Sequence, residues 1–183
     1  MKTVSIIIVV LILVLIVTSA YFGLFSKINV RVEEQGGETI VYENMVGDYG
    51  KAAGVTDKIY HDLLDNYKIE TTKGFGIYYD NPKNTDKDKL RSEIGCVVEN
   101  TGSSTETLIS KLLQKYPIRI LPVQNYIVTE FPFKGTVSVL FGIMRVYPAI
   151  DKFCKTNNYK DAPIMEIYDV PNKKIIYRKE IIQ

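Results

Sequence analysis

Tryptophan is absent from this 183-residue chain, histidine occurs once, at His61, and cysteine twice, at Cys96 and Cys154. Each scarcity removes a class of chemistry. One histidine and two distant cysteines show no metal-ligand spacing, so no metal or other cofactor is expected. The chain also holds no Ser-His-Asp set, no G-x-S-x-G elbow and no P-loop. The turn Gly47-Asp48-Tyr49-Gly50 opens a helical run and can hold an anion in principle. Without the Lys-Ser/Thr signature it reads as a tight turn. Both cysteines sit in apolar surroundings, where free thiols are commonly buried, and nothing beyond their number argues for a disulfide. His61 lies beside Asp62 on a helical run and reads as a surface residue. Net charge is only +2, so there is no basic stripe and no nucleic-acid partner is expected. The one basic cluster, Lys173-Lys174 with Arg178-Lys179, reads as the solvated end of a hairpin. No Asn-x-Ser/Thr sequon occurs, which fits a cytosolic or bacterial domain.

Uncharged apolar sequence is what the chain has in quantity. Residues 5–25, opening at Ser5 and closing at Phe25, are nearly unbroken Ile, Val and Leu. As a helix they span roughly 32 Å, the thickness of a bilayer core. A cleaved leader is the other reading, with Lys2 as its charged start and Thr18-Ser19-Ala20 as a small-residue cleavage site. The apolar run continues past Ala20 through Tyr21, Phe22, Leu24 and Phe25, which favours an uncleaved single-pass anchor. The expected organisation is an anchor at 1–26, a stalk at 27–38 and one domain at 39–183. The expected location is a membrane: endoplasmic reticulum in a eukaryote, cytoplasmic membrane in a bacterium. Residues 27–35 alternate loosely and read as either a strand or a stiff stalk.

The domain is patterned around a stretch that occurs twice. Gly76-Ile77-Tyr78-Tyr79-Asp80-Asn81-Pro82 is echoed by Glu166-Ile167-Tyr168-Asp169-Val170-Pro171. Each is an apolar strand stopped by a proline, which has no N–H for a ladder. Each follows a helix-opening glycine, Gly50 or Gly135. Strands are expected at 39–45, 74–79 and 90–98, with a helix at 51–67 on Val55, Ile59 and Leu63. A polar linker at 100–104 and a short helix at 105–116 lead to an extended segment at 118–123. A strand at 125–131 precedes a helix at 136–146, expected to pack through Val139, Leu140, Ile143 and Met144. Pro148 should kink that helix or open a second segment at 148–155. A hairpin at 163–168 and 173–181 closes the chain. The pattern is β-α-β-β twice over. The expected fold is therefore α+β, a pseudo-twofold duplication with a central cleft, preceded by one N-terminal transmembrane helix. Tyr79 and Tyr168 are expected at equivalent positions.

Glu166 is the residue with chemical content. Strand alternation puts Ile164, Glu166 and Tyr168 on one face, and Met165 and Ile167 on the other. On one reading Glu166 faces water. On the other it points into the groove between the halves, near Tyr168 and Tyr78. There a carboxylate takes up a cation or acts as an acid or base, and tyrosine faces add cation–π attraction of about 0.5–2 kcal/mol.

Several blocks resemble one family. Tyr78-Tyr79-Asp80-Asn81-Pro82, Leu90-Arg91-Ser92-Glu93-Ile94-Gly95, Pro148-Ala149-Ile150-Asp151 and Met165-Glu166-Ile167-Tyr168 are similar to the GyrI-like small-molecule-binding (SOUL/GyrI effector-binding) superfamily, over about residues 39–181. The resemblance implies two β-α-β-β modules around a cleft. It implies an acid from the final hairpin in that cleft, Glu166 by position; the tyrosines expected to bind ligand beside it, Tyr168 and Tyr78, come from the strand reading above. The expected ligand is an amphipathic, hydrophobic or cationic small molecule. Two alternatives come with the family: a hydrolase of cyclopropane-bearing toxins, with Glu166 as the catalytic residue, and a membrane adaptor. The adaptor reading follows likeness to the membrane-anchored, testis-expressed ER-phagy-receptor branch, in the leading apolar span, Tyr49-Gly50 and the block from Arg145 to Asp151. The sequence ends at Gln183, so an adaptor of this kind is expected to lack that branch's disordered tail. No helix-turn-helix precedes the domain, which argues against transcription regulation. Whether turnover occurs, and which proteins bind, stay open from the residues alone.

Overall fold

The computed structural model describes residues 2–99 and 112–183. An apolar helix, α1 (Lys2–Tyr21), leads into β1 (Arg31–Gln35) and β2 (Thr39–Val46). A 3-10 turn at Tyr49–Lys51 then opens α2 (Ala52–Tyr67), followed by β3 (Lys73–Tyr78) and β4 (Arg91–Val98). After β5 (Ile118–Ile120) come β6 (Gln124–Pro132), α3 (Thr136–Thr156), β7 (Ile164–Asp169) and β8 (Lys174–Glu180). Most of the short helix expected at 105–116 lies outside the described residues.

The eight strands form one sheet in the order β1-β6-β8-β7-β3-β4-β2-β5, and every pairing is antiparallel. The run β2-α2-β3-β4 lies in the order β3-β4-β2, and the run β6-α3-β7-β8 in the order β7-β8-β6. The runs meet where β3 pairs β7. Their leading strands are exchanged: β1 precedes β2 but pairs β6, whereas β5 precedes β6 but pairs β2. Residues 27–38 thus contain a strand of the sheet.

Directly opposed residues share a face. One row runs Val41, Cys96, Gly74, Tyr168, Ile175, Phe131 across six strands. Val41 and Cys96 pack with Ile59 and Leu63 of α2, while Ile175 and Phe131 pack with Val146 and Ile150 of α3. Both helices therefore cover the same face, α2 at one end of the row and α3 at the other. Gly74 and Gly76 leave the middle without a bulky floor. The opposite face carries its own apolar cluster, including Phe75, Ile77, Met165 and Ile167.

The structure corrects three expectations. First, α3 continues past 146 and through Pro148 to Thr156 as one helix, so no separate segment opens at Pro148. The carbonyl that Pro148 leaves without a donor belongs to Met144, four residues back. Met144 lies on the exposed side of the helix. Second, α3 packs through Ser138, Gly142, Val146, Ile150 and Cys154. Leu140, Ile143 and Met144 face outward, and only Val139 of the expected set packs against the core. The small residues of this four-residue stripe let the helix approach closely: a Cβ on Gly142 would sit 2.2 Å from the Tyr177 hydroxyl. Third, Arg178 and Lys179 are buried rather than solvated. Arg178 donates to both Glu38 carboxylate oxygens at 3.0 and 2.6 Å, and Lys179 pairs with Asp161. Adjacent residues on a strand face opposite ways, so each meets its own acid. Cys96 and Cys154 are free, buried thiols in separate clusters, and His61 is exposed, 3.6 Å from Asp57.

Candidate functional site

At the junction of the two runs, Gly76 stands directly opposite Glu166. Two residues further along each antiparallel strand stand Tyr78 and Tyr168, diagonal to each other on the same face. The matching triplets are thus Gly76-Ile77-Tyr78 and Glu166-Ile167-Tyr168. Tyr79 projects from the opposite face, where its hydroxyl donates to Glu93 at 2.7 Å. The residue placed like Tyr168 is Tyr78, so the expected equivalence of Tyr79 and Tyr168 is off by one residue. The extra tyrosine shifts the Tyr-Asp pair relative to the face that matters.

Glu166 is 1% exposed. The Tyr147 hydroxyl, from α3, donates to Oε1 at 2.9 Å. The Tyr168 hydroxyl, from the same strand, donates to Oε2. Among the described residues no Lys, Arg or His forms an ion pair with it. Burial raises the Glu166 pKa above the ordinary carboxylate value, against the bonds from Tyr168 and Tyr147. Burial first, and then the charge of Glu166, raise Tyr147, Tyr168, Tyr78 and Tyr177 above an ordinary phenol. These phenols stay neutral donors across the physiological range.

The floor is shaped by glycine. A Cβ on Gly76 would meet the Tyr78 ring and hydroxyl at 3.0 Å. Tyr78 in turn stacks edge-on against Tyr49 at 4.8 Å. Tyr49 is pinned by the main chain: its hydroxyl donates to Arg91 O at 2.9 Å and accepts from Asp80 N–H at 3.0 Å. On the other side, Tyr177 stands directly opposite Glu166 on β8. It is fully buried, and its hydroxyl has no partner among the described residues.

Three sequence-predicted residues, Glu166, Tyr168 and Tyr78, therefore come together. Tyr147 and Tyr177 belong with them and were missed. Tyr147 lies inside the Arg145–Asp151 block next to Pro148, and nothing in the local pattern marks it as facing the sheet. Tyr177 sits in an apolar strand, and its only signal is indirect: a glycine, Gly142, in the middle of a helix. In both repeats the aspartate after the tyrosine does turn work. Asp80 accepts from Arg91 N–H at 2.8 Å, and Asp169 from Asn172 N–H at 3.1 Å. A buried carboxylate held by phenols, with no cation paired to it among the described residues, is chemically suited to receive a positive group or to exchange a proton.

Comparison with known proteins agrees with this architecture. The chain is 26% identical over 166 residues to testis-expressed protein 264 of Homo sapiens, covering 85% of this chain and 51% of that one. The Mus musculus homolog is likewise 26% identical, over 156 residues, covering 82% and 48%. The chain thus spans about half the length of these curated relatives. The EcmrR C-terminal domain superposes with a TM-score of 0.59 at 10% identity, covering 85% of this chain and 98% of that one. SAV2435, solved bound to tetraphenylphosphonium, gives a TM-score of 0.52 at 14% identity, covering 84% and 93%. The model of the GyrI-like small molecule binding domain matches residues 28–181, and the chain belongs to that family.

Proposed function

We propose that this protein is a membrane-tethered receptor for a lipophilic or amphipathic cation, bound between the two β-α-β-β runs against Glu166. The observation that carries the reading is the unpaired state of that carboxylate. Glu166 is buried, receives two phenolic hydrogen bonds, and has no cationic partner among the described residues. Burying a charge without an opposite charge is unfavourable, and an incoming cation supplies one. Tyr78, Tyr147 and Tyr168 offer aromatic faces for the apolar part of such a ligand. The unpartnered Tyr177 hydroxyl offers one further hydrogen bond. The shared strand order of the two runs supports an internal duplication in which one copy carries the acid and the other a glycine.

Tethering is assigned to α1. It is 20 residues long, uncharged beyond Lys2, and has no buried residue. Its apolar character continues into Phe22, Leu24 and Phe25. Mass spectrometry of the membrane-extracted protein should find Met1 or Lys2 at the start; a start near Tyr21 would count against tethering.

The ligand reading is tested with tetraphenylphosphonium, chosen because a protein of this fold was solved with it. Calorimetric titration into the full chain in lipid nanodiscs is compared with Glu166→Gln, the lipid background being common to both. The substitution keeps the shape and removes the charge. Affinity should fall by more than about 1 kcal/mol, the least expected from leaving a buried cation unpaired. Equal affinities for the two proteins would remove the support for a cation site.

A further inference from the structure

We propose that the outward face of the first half of α3 rests on the bilayer surface from which α1 emerges, so that the Glu166 site lies toward the lipid. This rests on the reading of α1 as a membrane span.

The exposed side chains between residues 136 and 144 are Thr136, Val137, Leu140, Ile143 and Met144. None is charged, and Leu140 and Met144 are 56% and 66% exposed. Their spacing makes one stripe on the helix. Contiguous apolar surface of this kind on a soluble face marks a contact site. The structure also says where that stripe stands relative to α1. Gly23, two residues past the helix, packs against the Phe131 ring. The Arg145 guanidinium donates to Gly23 O at 3.2 Å and Ser26 O at 2.6 Å. The Lys134 ammonium lies 4.1 Å from the centroid of the Tyr21 ring. The segment just past α1 is thus held against the middle of α3 at Arg145, and the last residue of α1 lies by Lys134 just before α3. The helix that carries the stripe is therefore also the one that holds the exit of α1.

The surroundings have the chemistry of a membrane interface. Tyr21 and Phe25 are exposed, as aromatic residues at the headgroup level are. Lys27, Lys134 and Lys173 are exposed nearby. Phe133 N–H bonds to Lys173 O at 2.8 Å, which places the β7–β8 turn beside Lys134. Apolar and aromatic groups flanked by lysines favour a lipid surface with phosphate headgroups over a protein partner. The stripe also leads to the site: Tyr147, one helical turn beyond Ile143, is the residue that bonds Glu166. An amphipathic ligand dissolved in the bilayer would meet the Glu166 site from this side.

The test uses the full chain in phosphatidylcholine vesicles, with single cysteines carrying an environment-sensitive fluorophore and with doxyl-labelled lipid as quencher. Cys96 and Cys154 are buried, and the unsubstituted chain gives the labelling blank. Met144→Cys and Leu140→Cys should shift to the blue and lose intensity with doxyl lipid. Leu11→Cys, within α1, reports the span. Asn84→Cys, in the exposed loop between β3 and β4, reports the opposite end of the sheet and should stay unquenched. Quenching at Leu11 with none at Met144 or Leu140 overturns the proposal and leaves the span standing. No quenching at Leu11 overturns the span, and the proposal with it. Quenching at Asn84 equal to that at Met144 also overturns the proposal, since it means contact without orientation.

Discussion

The run around α2 and the run around α3 thread their strands in the same order and yet carry different surfaces and different chemistry. On α2 the exposed residues include Asp57, Lys58, His61, Asp65 and Asn66, the polar outer face of an ordinary surface helix. On α3 the first three turns expose only Thr136, Val137, Leu140, Ile143 and Met144. At the seam, the α2 run contributes Gly74, Gly76 and Tyr78, and the α3 run contributes Tyr147, Glu166, Tyr168 and Tyr177. A second carboxylate in place of Gly76 would face Glu166 directly in the β3–β7 register, with like charges in a buried site. One run makes room and the other places the acid, so a symmetric frame holds a one-sided site.

The comparison is broken most directly at Gly142, which sets how closely α3 approaches the sheet. Gly142→Ala puts a methyl group 2.2 Å from the Tyr177 hydroxyl and 3.4 Å from the Phe131 ring. Overpacking of this kind destabilises by about 1–3 kcal/mol, more than the gain in helix propensity of about 1 kcal/mol returns. Tyr177→Phe removes the clashing atom, which is also a buried hydroxyl without a partner. The pair should therefore be non-additive, with Gly142→Ala much less harmful in the Tyr177→Phe background. Thermal unfolding of the four proteins of the cycle measures this. Additive losses would mean that Tyr177 is not what limits the approach of α3.

Much of this was readable from the sequence. The strands, α2 and the one-face placement of Ile164, Glu166 and Tyr168 follow from period-2 and period-3.6 patterns, because local sterics and burial act alike on them. The stripe of α3 did not follow. Apolar count favours Leu140, Ile143 and Met144, whereas close packing on the sheet favours Ser138 and Gly142. No periodicity rule reveals that a helix turns its small residues inward and leaves its large ones exposed. The buried pairs of Arg178 and Lys179 were hidden for a related reason. Their acids, Glu38 and Asp161, are remote in sequence, and β8 reads as a basic hairpin until the fold brings them in. Tyr147 was hidden because a side chain one position from a proline is oriented by the whole helix rather than by its neighbours.

A second break acts on the donors of the carboxylate. Tyr147→Phe takes the hydrogen bond from Oε1 of Glu166. Hydrogen bonds to charged groups contribute about 1.5–3 kcal/mol, so the loss should be of that size once Glu166 is ionised. The pH dependence has a definite sign. Burial raises the folded-state pKa of Glu166, so its contribution to stability is fully present below the unfolded pKa and is lost as pH rises through the folded value. Tyr147→Phe removes a bond that lowers this pKa, so it deepens the loss. The gap between the variant and wild type should therefore widen as pH rises from the ordinary carboxylate range through the raised folded value in denaturation series. Glu166→Gln has no such titration, so its stability relative to wild type should rise over the same window. Parallel curves for all three proteins would mean that Glu166 keeps its ordinary pKa in the fold.

The smallest effect has the opposite sign and tests α2 as the plain partner of the pair. Gly54 lies in the second half-turn of α2, is exposed, and a Cβ built on it meets nothing within 4 Å. Glycine within a helix is less favourable than alanine by about 0.8–1 kcal/mol, because the unfolded chain has more conformations to lose. Gly54→Ala should therefore stabilise the protein by about 0.5–1 kcal/mol and leave tetraphenylphosphonium affinity unchanged, since α2 contributes no donor to Glu166. The two helical glycines then respond in opposite directions to the same methyl group. One is held by a tyrosine of the site and the other faces open space. A loss of stability at Gly54, or a change in affinity, would show that the outer face of α2 is occupied in the working protein and is not the bare polar surface it presents.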